Sequence, residues 1–143
     1  MCLEDKEVDP TLYMQLLGSL MYLVNTRPDI CYVVNTLSQF MVEPKRAHWA
    51  TTKYVLKYIE GTIEHGLLYN RGNDIRLSGF TNANWVGSSV DRKSTAGYYF
   101  NIGSGMTSWC GRKQKSMALS SSEAEYMVAS TASCEAICLE NCL

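Results

Sequence analysis

Cys134, Cys138 and Cys142 repeat every fourth residue, a spacing that lines three thiols along one side of a helix. Thiolates are zinc ligands, but residues along a straight helix point along a line and not toward the corners of a tetrahedron. The spacing therefore predicts a core or interface face rather than a zinc centre. Ser120 with Glu123, and Ser122 with Glu125, both have capping-box spacing, in which serine and acid together close a helix N-terminus. Arg112, Lys113 and Lys115 form a small basic cluster, with Arg92 and Lys93 in a second one, where phosphates could be met or simply water. His48 and His65 have no serine or cysteine nucleophile and no metal-ligand motif beside them, so no catalysis is assigned to either.

The chain around these groups has 143 residues, 46% of them hydrophobic and 19% charged, enough apolar side chain to bury a core. Its formal net charge is −1, with six Lys/Arg against eight acids in residues 1–66 and seven against six in 67–143. Neither half carries the basic field that pulls proteins onto nucleic acid, so weak or no nucleic-acid binding is expected. The longest apolar stretch, Leu16–Val24, is far short of the roughly 20 residues of a membrane span. The acidic start, Met1–Pro10, has no apolar core of the kind a secretory signal needs. A cytoplasmic or nuclear setting is expected on that ground, with its six cysteines as free thiols.

The elements that position these groups fall into two sets. Leu16, Leu20, Leu23 and Val24 recur at helical spacing. Arg27-Pro28-Asp29 restarts the chain, with Pro28 suited to a first turn and Asp29 to the positive end of a helix dipole. Ile30, Val33, Val34, Leu37, Phe40 and Met41 give a second apolar face, ended by Glu43-Pro44. Trp49, Thr52, Leu56 and Ile59 give a third, closed by Gly61. From about residue 66 the pattern changes to strands. A short one is expected at Gly66–Tyr69, a turn at Arg71–Asp74, and strands at Arg76–Val86, Thr95–Ile102 and Met106–Cys110. Gly103-Ser104-Gly105 reads as a hairpin turn and Gly111–Ser116 as a polar basic stretch. A helix then opens at Ser120. Met21 and Met127 read as packing residues.

The order of several short motifs is more specific than any one of them. Leu17-Gly-Ser-Leu-Met-Tyr-Leu23, Thr26-Arg-Pro-Asp-Ile30, Leu37-Ser-Gln-Phe-Met41, His48-Trp49 and Val55-Leu-Lys-Tyr-Ile-Glu-Gly-Thr62 resemble the segment joining polymerase to nuclease in copia-type retrotransposon polyproteins. Asn84-Trp-Val-Gly87, Asp91-Arg-Lys-Ser-Thr-Ala-Gly-Tyr98, Ser108-Trp109, Lys113-Gln114 and Ala118-Leu-Ser-Ser-Ser-Glu-Ala-Glu-Tyr-Met127 resemble the first half of its ribonuclease H. The resemblance implies an α+β chain. Residues 1–65 would be the helical connecting segment, and 66–143 a partial ribonuclease H-like domain of three antiparallel strands and one helix.

That family cuts the RNA strand of RNA–DNA hybrids with two divalent ions, usually magnesium, held by aspartates and a glutamate. Magnesium prefers anionic oxygen ligands, and two such ions side by side need several negative charges between them. Where the family motif reads Ser or Thr, Asp, Ala, Asp, Trp, this chain reads Thr81-Asn82-Ala83-Asn84-Trp85. Asn82 stands in place of the first metal-binding aspartate, and Asn84 replaces the second acid. The family's glutamate aligns with Glu125, with Glu123 the nearby alternative. Its remaining aspartates would lie beyond Leu143. The resemblance therefore implies vestigial site residues, no metal or other cofactor, and no catalysis. Glu125 is expected to serve its helix start instead.

Three functions follow from the resemblance. The chain is an inactive ribonuclease H remnant that acts, if at all, by binding. Alternatively it is one of the copia-like short chains described as secreted RxLR effectors of plant-pathogenic oomycetes, acting in host cells against defence-related cell death. No arginine here begins an Arg-x-Leu-Arg tetrapeptide. The third reading is residual hybrid cleavage. Absence of the rest of the sheet would expose an edge and apolar surface, so a protein partner or self-association is expected.

Overall fold

The computed structural model describes residues 8–71, 75–85 and 93–143, which form two compact units, 1–66 and 67–143. Cys2, part of the Arg71–Asp74 turn, Val86, Gly87, Asp91 and Arg92 lie outside the described residues. The first unit is helical and the second pairs a three-stranded antiparallel sheet with one helix, so the chain is α+β.

In the first unit, α1 (Pro10–Leu23) starts on Asp9, whose carboxylate accepts from the backbone N–H groups of Thr11 and Leu12, with Pro10 in the first turn. Its buried stripe is Tyr13, Leu17 and Leu20, with Leu23 and Val24 packed against the core, so of the expected positions only Leu16 gives way, to its neighbour Leu17. Leu16, Leu23 and Val24 are half-buried, and Met21 is exposed rather than packed. The single helix expected over Ile30–Met41 is three short pieces: a 3-10 turn at Pro28–Ile30, α2 (Cys31–Leu37), and a 3-10 turn at Ser38–Phe40. The Tyr13 hydroxyl donates to the Leu37 carbonyl at 3.0 Å, satisfying an acceptor at the end of α2. In α3 (Arg46–Gly61) the buried positions are Thr52 and Val55, and Leu56 faces solvent instead. Tyr13, Leu17, Leu20, Ile30, Val34, Leu37 and Val55 make one core, with Trp49 tilted against the Tyr13 ring at 6.4 Å.

In the second unit the segment 67–71 is not a strand. Tyr69 instead donates its hydroxyl to the Met106 carbonyl at 2.5 Å, and the Asn70 N–H donates to Ser104 Oγ at 3.0 Å. Strands β1 (Leu77–Asn84), β2 (Thr95–Ile102) and β3 (Gly105–Lys113) pair in that order. β3 takes in Gly111–Lys113, read from sequence as a polar stretch; Thr95–Lys113 and Gly97–Gly111 are paired positions. A strand carrying charge along an open edge needs no continuous apolar run. Gly103 has φ 60° at the first central position of the two-residue β2–β3 turn, the left-handed backbone that the tight hairpin turns of types I′ and II′ both need there. At Gly79 a Cβ would run into the Phe100 ring, which lies across β1. Helix α4 (Ser121–Glu140) packs on β1 and β2 through Ala124, Val128 and Ala132, small side chains that allow close approach.

Candidate functional site

The segment Thr81–Asn84, which resembles the ribonuclease H motif, lies on β1, with Trp85 just past its end. Asn82 pairs with Gly97 and Asn84 with Thr95, while Thr81 and Ala83 face Tyr98 and Ala96 of β2. Ala96 and Tyr98 line a groove with Met127, Val128 and Thr131 of α4, so theirs is the helix-covered side. Strand alternation puts Thr81 and Ala83 on that side too. Asn82 and Asn84 fall on the other, with Phe80 and Tyr99, whose rings stack at 4.9 Å. Both amides are exposed.

Glu125 comes from α4 to the same strand. Its Oε1 accepts from the Ala83 backbone N–H at 3.2 Å, between the two asparagines in sequence. Ala83 stands opposite Ala96 across the one pairing β1 makes among the described residues, where β1 is an edge strand. The carboxylate thus meets an edge donor, the kind of group that otherwise invites a foreign strand. This corrects the expectation that Glu125 serves its own helix start. Ser120 is the N-cap, accepting from the Glu123 N–H at 3.1 Å, and the Glu123 carboxylate accepts from the Leu119 N–H at 2.6 Å. One of the two capping spacings is used for capping. The other acid is spent on the sheet.

Trp85, the last residue of the motif, donates its indole N–H to the Ala118 carbonyl at 3.1 Å, tying the end of β1 to the approach to α4. Gln114 does similar work on the opposite flank. Its backbone N–H donates to the Ser94 carbonyl and its Nε2 to the Ala124 carbonyl, each at 2.8 Å. Ser108 Oγ donates to Glu135 Oε1 at 2.7 Å further along α4.

These residues do not fit a two-magnesium centre. The motif offers two neutral amides and one carboxylate, a single negative charge against the four positive charges of the ions. An amide oxygen cannot bridge two cations as a carboxylate does, and strand alternation turns both amides away from the side Glu125 approaches. Among the described residues, no three His, Cys, Asp or Glu side chains come together as metal ligands.

Cys134, Cys138 and Cys142 are exposed and free, so they do not form the core face that was one reading of their spacing. Cys31, buried in the first unit, and Cys110, half-buried on β3, are likewise in no disulfide. His48 has a structural post: its Nδ1 accepts from the Lys45 backbone N–H at 3.1 Å, and its ring stacks on Phe40 at 3.9 Å. Burial and the nearby Lys45 charge hold its imidazolium form down, so its pKa lies below the ordinary value.

Sequence reasoning missed the chemistry of Thr26-Arg-Pro-Asp-Ile30. Arg27 is buried and its guanidinium grips Asp29 with two bonds, at 3.0 and 2.8 Å. It also donates to the Thr62 carbonyl at 3.1 Å and to Thr62 Oγ1 at 2.7 Å. Tyr58 donates its hydroxyl to Asp29 at 2.9 Å and lies beneath the guanidinium, 5.9 Å from ring centre to Cζ. The clasp fastens the start of α2 to the end of α3. The Arg27 bonds hold the Asp29 carboxyl below the usual aspartate range, and Tyr58 adds to them against the opposing effect of burial. Asp29 stands in the first turn of its 3-10 segment, as expected, and also neutralises Arg27. An arginine two residues before an aspartate across a proline was the available signal.

No family model and no solved structure matches this chain. Among curated proteins it is 46% identical over 126 residues to the retrovirus-related Pol polyprotein from transposon RE2 of Arabidopsis thaliana, and 46% identical over 129 residues to that from transposon RE1. Those matches take in 87% and 90% of this chain but 9% of each polyprotein, so it spans about a tenth of their length. It is also 43% identical over 128 residues to secreted RxLR effector protein 161 of Plasmopara viticola, across 89% of this chain and 90% of that protein. Identity at this level over nearly the whole chain establishes descent: the chain belongs to the copia-type retrotransposon Pol family.

Proposed function

We propose that this transposon-derived chain is catalytically inactive as a ribonuclease H and that any activity it has is exerted by binding. The observation that carries the reading is the pair Asn82 and Asn84 on β1, with Glu125 bound to the Ala83 N–H. On this reading residues 1–65 are the polymerase–nuclease connecting segment and 66–143 the ribonuclease H-like part, kept as a scaffold. Weak or no nucleic-acid binding is expected from its charge balance. The stacked Phe80 and Tyr99, both exposed on the sheet face away from α4, support contact with a protein partner or a second copy. Incubation with a labelled RNA–DNA hybrid in magnesium or manganese tests the inactivity. No product is expected. Metal-dependent turnover abolished by Glu125→Gln would overturn it and favour residual nuclease.

A second reading is supported by the Plasmopara viticola relative, called a secreted RxLR effector, because the match takes in 90% of that protein. In that reading this chain acts inside a host plant cell and suppresses defence-related cell death. Expression in leaf tissue with a cell-death inducer tests it; unchanged necrosis rejects it. Among the described residues no helix is long and apolar enough to cross a membrane.

A further inference from the structure

The sheet face turned away from α4 is built of unlike rows. Phe80 stands opposite Tyr99 and Tyr99 opposite Trp109, so three aromatic residues cross the three strands in one line. The Phe80 and Tyr99 rings stack at 4.9 Å, 18° from parallel. Two rings that close and that nearly parallel overlap, each giving a face to the other. They therefore stand up from the sheet as a ridge and do not lie flat on it as a platform for a third ring.

The next row along the strands is Asn82, Gly97 and Gly111. Two of its three positions have no side chain, which leaves a trough beside the ridge. Gly97 is not required by the chain's own fold. Its φ is not positive, and a Cβ there would meet nothing nearer than the Cys110 carbonyl oxygen at 3.5 Å, an ordinary contact. Glycine inside a strand weakens it, and one that neither backbone nor packing asks for marks a place where something else approaches closely.

We propose that a second copy of this chain packs on the face, ridge into trough, an inference that rests on the reading above that the chain acts by binding. A two-fold axis lying in the interface, between the two rows and parallel to them, sets Tyr99 of each copy over Gly97 of the other, Trp109 over Gly111 and Phe80 over Asn82. Adjacent full and empty rows make the face complementary to itself, which a uniformly aromatic face would not be. Lys113 is the one charged residue that the described strands place on this face, and the same axis carries it over the row of Asn101, so no like charges meet. The face measures about 25 Å by about 14 Å, under half of the ~800 Å² per partner in a standard interface, so the dimer is weak, with Kd on the order of 10–100 µM.

Sedimentation of the full chain over a range of concentrations tests it, and reversible association to a dimer is expected. Gly97→Thr fills the trough with a residue that strands favour. It is expected to weaken dimerisation at least tenfold while the melting midpoint of the second unit stays level or rises. Tyr99→Thr takes away the middle of the ridge and is expected to weaken dimerisation as much. Tyr126→Ser removes an exposed aromatic from α4 instead and should dimerise as the parent does. A chain that stays monomeric up to about 0.5 mM overturns the proposal. So does a dimer that Gly97→Thr and Tyr99→Thr leave intact, the result that pairing along the β1 edge would give, or one that Tyr126→Ser weakens equally. A labelled RNA–DNA hybrid incubated with the same samples keeps the two readings apart: cleavage overturns the inactivity, whereas the sedimentation result alone decides the dimer.

Discussion

The two units use the motifs read in their sequence in opposite ways. In the first, Thr26-Arg-Pro-Asp-Ile30 is a mechanical device: Arg27, Asp29, Tyr58 and Thr62 hold two helices together, and every polar partner is present. In the second, Thr81-Asn82-Ala83-Asn84-Trp85 keeps its mechanical parts, the strand pairing and the Trp85 bond to Ala118, but carries amides where metal chemistry needs acids. A side chain that packing and hydrogen bonds require is costly to replace. One that would serve only a reaction costs the fold little when it is replaced.

That contrast can be broken most severely in the first unit. Leu17→Ala, at a fully buried position of the helical core, should cost about 3 kcal/mol and visibly lower the melting midpoint of unit 1. A loss under 1 kcal/mol would mean the core is far looser than its burial implies. Arg27→Leu should cost about 2 kcal/mol, because the hydrogen bonds to Asp29 and Thr62 go together and Asp29 loses its counter-charge. A double-mutant cycle with Asp29→Asn should show coupling, and strict additivity would dissolve the clasp. In the second unit Glu125→Ala should cost only about 1 kcal/mol while increasing self-association in sedimentation, since it uncovers the Ala83 N–H on an edge strand. A variant as monodisperse as the parent would show that Glu125 does not guard that edge.

The smallest expected effect is a pH dependence. His48 has its folded pKa below the unfolded one, so its stabilising contribution is present above about pH 6.5 and lost as pH falls through the folded value. Thermal melts should show unit 1 weakening between neutral pH and about pH 5, with less weakening in His48→Gln. Equal slopes would assign the effect elsewhere. Asp29 acts only at lower pH: its depressed pKa gives stability that is present above the ordinary aspartate value and lost on acidification through the folded one.

Helix and strand periodicity made most of the architecture legible in the sequence, since the β2 boundaries and the α4 start depend on local pattern and capping. The exchange of Leu17 for Leu16 in α1 was hidden because the two are equally apolar neighbours, and Leu17 is the one that falls in line with Tyr13 and Leu20. β3 was underestimated because an edge strand tolerates Arg112 and Lys113, which read as loop. Asn82 and Glu125 were legible through the family resemblance alone. Where Glu125 goes was not, because its bond to Ala83 joins residues 42 apart, and nothing local distinguishes it from a cap.

The central claim is that the β1–α4 site has too little negative charge to hold two divalent ions. Manganese binding followed by electron paramagnetic resonance, with paramagnetic broadening of amide signals, tests it without needing a substrate. The account predicts no specific broadening around Asn82 and Glu125 at submillimolar manganese, in the parent and in Asn82→Asp alike. Two ions bound there by the parent chain, and lost in Glu125→Gln, would contradict it.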